Sequence, residues 1–86
     1  MPNKEGELIG KITHYFDKIK VMVIDLTGTL KEGDTIRIIG GETTDFEQKV
    51  GLMEIDHKKI KQGKKGEPVG LEVKEKVREG YKVYKI

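Results

Sequence analysis

The sequence of 86 residues predicts an all-β fold, a small closed or nearly closed barrel of six or seven strands. Eleven glycines, against two prolines, are spread between short β-branched runs, which is the pattern of strands joined by tight turns. Apolar residues make up only 35% of the chain, which suffices where each strand buries one face. Closure would also leave no exposed sheet edge. We expect a flexible tail at residues 1–6 and a single barrel domain over 7–86.

Residues 7–16 and 18–26 predict the first two strands, joined by a hairpin connection. Gly10 lies inside the first run, where a residue without a side chain marks a bend or a close approach of backbone. The second run is apolar on both faces over residues 21–24, which is typical of a strand buried on both sides.

The rest of the chain continues the pattern of strands and turns. Turns are expected at Gly33, Gly66 and Gly80, because glycine adopts positive φ without a steric cost. The run 43–57 changes phase midway, and a β-bulge at residues 51–52 would return both halves to one face.

The order of four segments resembles that of domain II of the translation GTPases, the family of elongation factor Tu. The segments are GKI (10–12), LKEGDTIRIIG (30–40), LMEIDHKKIKQGKKGEPVGLEV (52–73) and REGYKVYK (78–85). A still closer likeness is to the C-terminal barrel of the collagenase-like peptidase family, in which THYF (13–16) and TTDF (43–46) also recur. The resemblance covers roughly residues 7–86 and implies a barrel of the translation-factor domain II type.

The same resemblance implies a domain without chemistry of its own. Both families place their reaction in a separate domain, and some members of the peptidase family are implicated in RNA modification. Residues 63–66 lack the spacing and the Ser or Thr of a GxxxxGK[ST] loop, so no GTP binding is expected.

The side chains themselves offer little for catalysis. The chain has no cysteine and no serine, and its two histidines, His14 and His57, fall in different runs. A metal site needs three or more converging ligands, and general acid–base work needs a positioned pair of groups. We therefore expect no catalytic residue, no metal and no cofactor, and predict that the chain is not an enzyme.

Two basic segments are the candidate RNA contacts, because aromatic rings stack on unpaired bases while lysines contact phosphates. The first is the aromatic hairpin, and its candidate residues are His14, Tyr15, Phe16, Lys18 and Lys20. The second is the lysine cluster, with candidates Lys58, Lys59, Lys61, Lys64 and Lys65. The alternatives are aromatic rings that plug one end of the barrel and a solvated lysine turn.

The leading hypothesis is therefore a non-catalytic, elongation factor-like barrel that binds RNA, such as tRNA or ribosomal RNA, or the translation machinery. The alternative is a protein–protein adaptor that docks onto a separate enzyme or GTPase chain, for which an exposed apolar patch at Ile39 or Ile9 would speak. The absence of a long apolar segment or signal sequence predicts a cytoplasmic protein without a membrane partner. A charge set rich in Lys and Glu is typical of heat-adapted proteins.

Overall fold

The computed structural model describes residues 6–86, which form ten β-strands and no helix. The strands are β1 (Glu7–Phe16), β2 (Val21–Leu26), β3 (Leu30–Lys31), β4 (Thr35–Gly40), β5 (Thr44–Lys49), β6 (Met53–Ile55), β7 (Lys58–Ile60), β8 (Gln62–Gly63), β9 (Pro68–Glu72) and β10 (Lys82–Lys85). The Cα radius of gyration is 11.6 Å, close to the value of about 12 Å for a compact chain of this length. The predicted all-β class is confirmed. Residues 1–5 of the predicted tail lie outside the described residues.

Eight of the strands form one antiparallel sheet in the order β5-β4-β10-β1-β2-β9-β6-β7, and β3 pairs with β8 separately. The sheet ends at β5 and β7, and no ladder joins these two strands within residues 6–86. The predicted closure into a barrel is therefore not confirmed. The strand number also exceeds the predicted six or seven, because the chain between residues 43 and 65 breaks into four short strands.

The core lies on one side of the sheet and is built from alternate apolar residues of its strands. In β2, Met22, Ile24 and Leu26 are buried, whereas Val21 and Val23 on the opposite face stay half-exposed. The prediction that this strand is buried on both sides is thus wrong. No second layer of the described chain covers the outer side of β2.

The structure confirms the predicted turns but not the predicted bulge. Gly33, Gly66 and Gly80 have φ values of 94°, 89° and 92°, which confirms a turn glycine at each position. The predicted bulge at residues 51–52 is instead a break between two strands: β5 pairs with β4, while β6 pairs with β7 and β9. Residues 50–52 cross from one end of the sheet to the other and need no ladder of their own.

One side chain links β5 to the last residue of β9 and to the segment that follows it. The Gln48 Nε2 group donates a hydrogen bond of 2.9 Å to the Glu72 carbonyl. The Gln48 Oε1 atom accepts a hydrogen bond of 3.0 Å from the Lys74 backbone N–H. A single amide therefore holds together two parts of the chain that no strand pairing joins.

Replacing this amide tests the link. Gln48→Ala removes both hydrogen bonds, and since each contributes roughly 0.5–1.5 kcal/mol, we expect the free energy of unfolding to fall by about 1–2 kcal/mol. Urea denaturation followed by circular dichroism measures the loss. Gln62→Ala, at an exposed position of β8, is the matched control and should change stability by less than about 0.5 kcal/mol. Equal losses in the two variants would show that the link contributes nothing.

The outer face of β4 and β5 is charged. The Arg37 guanidinium donates two hydrogen bonds to Asp45, from Nε at 2.7 Å and from Nη2 at 2.6 Å. This hydrogen bonding, together with the positive charge of Arg37, lowers the pKa of the exposed Asp45 carboxyl. Polar pairing of this kind marks a face that water covers, in contrast to the outer face of β2.

A candidate docking surface

The aromatic hairpin forms as predicted, with a turn at residues 17–20 between β1 and β2. His14 and Phe16 point outward and their rings stack with centroids 6.3 Å apart, while Tyr15 packs against the core. Phe16 keeps 51% of its surface exposed, whereas Phe46 keeps 9% and belongs to the core. The alternative in which the aromatic rings plug the barrel therefore describes Tyr15 and not Phe16.

The lysine cluster does not form one loop. Lys58 and Lys59 lie on β7, whereas Lys64 and Lys65 lie in the turn before β9. Lys61, between them, follows β7 directly and is also exposed.

The turn that carries Lys64 and Lys65 lies apart from the aromatic hairpin. The turn at residues 64–67 contacts the C-terminal end of β2, where the Gly66 N–H donates to the Leu26 carbonyl at 2.8 Å. The aromatic hairpin, with Lys18 and Lys20, lies at the N-terminal end of the same strand. Six residues of β2 separate the two turns, which corresponds to roughly 17 Å. Lys64 and Lys65 therefore lie at the opposite end of β2 from Lys18 and Lys20.

Exposed apolar side chains gather on the outer face of β2 and its neighbours. Among residues 6–86, five large apolar side chains are exposed, and three of them, Phe16, Ile19 and Leu52, line two adjoining depressions. The depressions have volumes of ≈ 330 Å³ and ≈ 120 Å³, and they share Val21 and Gly70. We call the two together the outer groove.

Strand register explains why the outer groove has a low centre. One cross-strand row runs His14, Val23, Gly70, Glu54 and Lys59 over β1, β2, β9, β6 and β7. Their side chains point away from the core, since alternate residues of each strand are buried. Gly70 is the middle member of this row and has no side chain, so the sheet surface is depressed between Val23 and Glu54.

The charged lining of the outer groove is acidic. Glu54, Asp56 and Glu72 line it, and no Lys or Arg of the described chain does. His57 also lines it, from the two-residue turn between β6 and β7, in which Asp56 and His57 have φ values of 52° and 66°. Carboxylates in the lining repel phosphate groups and attract cations, and Lys59 on β7 lies opposite only one of them, Glu54. The surface therefore suits an apolar partner that carries positive charge.

Sequence reasoning missed most of this surface. The patch expected at Ile9 or Ile39 does not exist, because Ile9 is fully buried and Ile39 is only half-exposed. The apolar run at residues 21–24 is the sequence signal for the outer groove. A sheet with a single core buries one face of each strand, so the second apolar face of this run is left for another contact. The run predicts burial on both faces, whereas Val21 and Val23 are half-exposed in the structure.

The structure offers no cluster of metal ligands within residues 6–86. His14 Nδ1 lies 3.8 Å from a carboxylate oxygen of Glu79, and both side chains are largely exposed. Nor does any helix in the described part of the chain have the length and apolar character to cross a membrane.

Solved structures with a similar fold include two of the C-terminal domain of one bacterial protein, one of them of its selenomethionine variant. The chain superposes on the C-terminal domain of a Geobacillus thermoleovorans protein assigned to the U32 peptidases, with a TM-score of 0.87, 16% identity, and coverage of 93% of this chain and 92% of that one. The selenomethionine form of that domain gives a TM-score of 0.86, 15% identity, and coverage of 91% and 98%. At such identities the likeness shows the fold alone.

The sequence itself is similar to an uncharacterised protease of Methanocaldococcus jannaschii. The two are 45% identical over 76 residues, which span 88% of this chain but only 19% of that protein. No protein-family model matches the chain.

These findings correct the leading hypothesis. The relatives are peptidase-type proteins and not translation factors, so the prediction of an elongation factor-like, RNA-binding module of the translation machinery is wrong. The resemblance to the C-terminal barrel of the collagenase-like peptidase family agrees with the relatives, while that to elongation factor Tu stays unconfirmed. RNA contacts at the hairpin and cluster residues remain an untested prediction that has lost its motivation.

Proposed function

We propose that this chain is a non-catalytic docking module that binds the main body of a U32 peptidase-like protein through the outer groove. The observation that carries the proposal is the gathering of Phe16, Ile19 and Leu52 on one uncovered face. The similarity to a protein of which this chain spans only 19% supports a body of larger size as the partner. The body can belong to the same polypeptide or to another one.

The free energy gained by burying exposed apolar side chains favours docking over a face that stays in contact with water. Phe16, Ile19 and Leu52 expose 51%, 64% and 52% of their surfaces. Full burial of such a side chain is worth roughly 1.5–3 kcal/mol, so covering the exposed half of each gives about 1 kcal/mol or more. A few well-packed side chains at the centre of an interface carry most of the binding energy, and a contiguous exposed apolar patch is a common mark of an interaction site.

A titration with the similar M. jannaschii protein tests the proposal. The probe is that protein with its matched segment removed, and the titrant is this chain. We expect saturable binding by isothermal titration calorimetry. Phe16→Ser and Leu52→Ser should each weaken it by about tenfold or more, since truncation of an interface anchor costs upwards of about 1.4 kcal/mol.

Leu8→Ser is the matched control for these variants. Leu8 is 46% exposed, so the change removes a comparable apolar surface, but Leu8 pairs with Tyr84 on β10, away from the outer groove. Its affinity should equal that of the unaltered chain. Absence of binding by the unaltered chain, or equal losses in all three variants, would contradict the docking function.

A further inference from the structure

We infer that Gly70 is a specificity-determining contact of the outer groove, over which the partner body places one apolar side chain flanked by a Lys or Arg. This inference rests on the proposed docking function and adds the chemistry of the segment that occupies the groove.

The fold itself gives no reason for a glycine at position 70. Gly70 does not have a positive φ, so its backbone conformation is open to other residues. A Cβ atom there would meet only the Glu54 carbonyl oxygen at 3.5 Å and Val21 Cγ1 at 3.8 Å, which are ordinary contacts. At Gly63, by contrast, a Cβ atom would lie 2.6 Å from Leu26 Cδ1. No backbone conformation or contact within the domain therefore requires a glycine at position 70.

A glycine inside a strand lowers the stability of the strand, and contact with a partner outside the domain can explain its presence. It weakens the strand, because it loses more conformational freedom on folding and packs nothing, and it is typical of places where another chain approaches closely. Gly70 is the middle member of a five-strand row and lines both depressions, so its missing side chain leaves the outer face open where the two depressions adjoin. Close approach by a partner accounts for it.

The volume of the depression and the charges of its lining limit which side chains can occupy it. The depression between Val21, Leu52 and Gly70 has a volume of ≈ 120 Å³, well below the roughly 300 Å³ at which small-molecule pockets begin. A single apolar side chain fits this smaller depression, while the adjoining depression of ≈ 330 Å³ accommodates the residues next to it in the partner. Glu54 lines both depressions and Asp56 lines the larger one, so a cationic side chain next to the apolar one completes the match.

The same charges disfavour a second copy of this chain. A two-fold dimer brings the same patch of both copies together, so the acidic linings of two outer grooves would approach each other. Like charges placed opposite each other are destabilising. The occupant is therefore a different surface, and the part of the peptidase-like protein outside the matched 19% supplies one.

The test is a valine at this position, with the truncated M. jannaschii protein as the probe. Gly70→Val should leave the melting temperature equal or higher, since a β-branched residue replaces glycine in a strand. Its affinity should fall by about tenfold or more, because the added side chain fills the depression. Glu47→Val, which adds the same side chain to the outer face of β5, should bind like the unaltered chain.

Two further variants keep the inference falsifiable. If Gly70→Val lowers the melting temperature, Gly70→Ala, whose methyl group fits, replaces it and should also weaken binding. Glu54→Gln should weaken binding and reduce its dependence on salt, since one attractive charge is lost.

The outcomes separate this inference from the docking function. Weakening by Phe16→Ser together with unchanged affinity of a folded Gly70→Val would overturn the role of Gly70 and leave docking intact. Absence of binding by the unaltered chain would overturn both. Self-association of this chain that Gly70→Val abolishes, seen by analytical ultracentrifugation, would also overturn the inference, because the occupant would then be a second copy.

Discussion

Phe46→Ala is expected to lower the free energy of unfolding by about 3–5 kcal/mol, the usual cost of removing a buried aromatic side chain and leaving a cavity. Phe46 lies on β5 with only 9% of its surface exposed and belongs to the single apolar core. Its neighbour across the ladder is Ile38, which is fully buried. The ring thus anchors β5, which pairs with only one other strand of the sheet.

Thermal and urea denaturation measure this loss. In a domain of this size each kcal/mol shifts the melting temperature by about 4–8 °C, so a fall of at least about 12 °C is expected. Phe16→Ala is the matched control, because it makes the same change at a ring that is 51% exposed. It should cost less than about 1 kcal/mol of stability while weakening binding to the truncated relative. A similar stability loss in both variants would contradict the assignment of one ring to the core and the other to the docking surface.

The contrast between these two phenylalanines shows a limit of prediction from the sequence alone. Simple alternation would place Phe16 on the same face as Ile12, which is buried. The ladder between β1 and β2 shifts register between Ile12 and His14, and this bulge turns His14 and Phe16 outward. A bulge forms where two particular strands meet, so it depends on a partner strand that the local pattern does not contain. Alternation within β1 alone therefore does not predict the exposure of Phe16.

Local features were predictable because their causes are local. The turn glycines at positions 33, 66 and 80 follow from a steric preference of single residues, and all three have positive φ. The hairpin after β1 follows from two adjacent apolar runs. The β5–β6 break has a non-local cause, because the two strands pair with neighbours at opposite ends of the sheet.

The candidate site was predictable only in part. Phe16 belonged to the predicted set, but the lysines joined to it by sequence patterning lie at both ends of β2 and on β7. Lysines grouped by sequence patterning do not form one cluster in the structure. The apolar walls at Val21 and Val23 were visible as a run, yet whether a second layer covers such a run depends on the packing of the whole sheet.

Gly10→Val is expected to be the second strongly destabilising change, costing about 3 kcal/mol, the upper part of the range for overpacking a core. Gly10 was predicted to mark a bend or a close approach, and the structure confirms the close approach. A Cβ atom at this position would lie 2.6 Å from Ile24 Cγ2 and 3.0 Å from the Asp25 backbone oxygen.

Neither neighbour can move without disturbing the sheet. Gly10 pairs with Leu26 on one side and Val83 on the other, which fixes its backbone at the centre of three strands. Gly51→Val is the matched control, since a Cβ atom there meets nothing within 4 Å and its φ is not positive. Urea denaturation should show an unchanged midpoint for Gly51→Val and a strongly lowered one for Gly10→Val. Equal midpoints would mean that β1 and β2 separate readily enough to admit the side chain, and would contradict the close approach at Gly10.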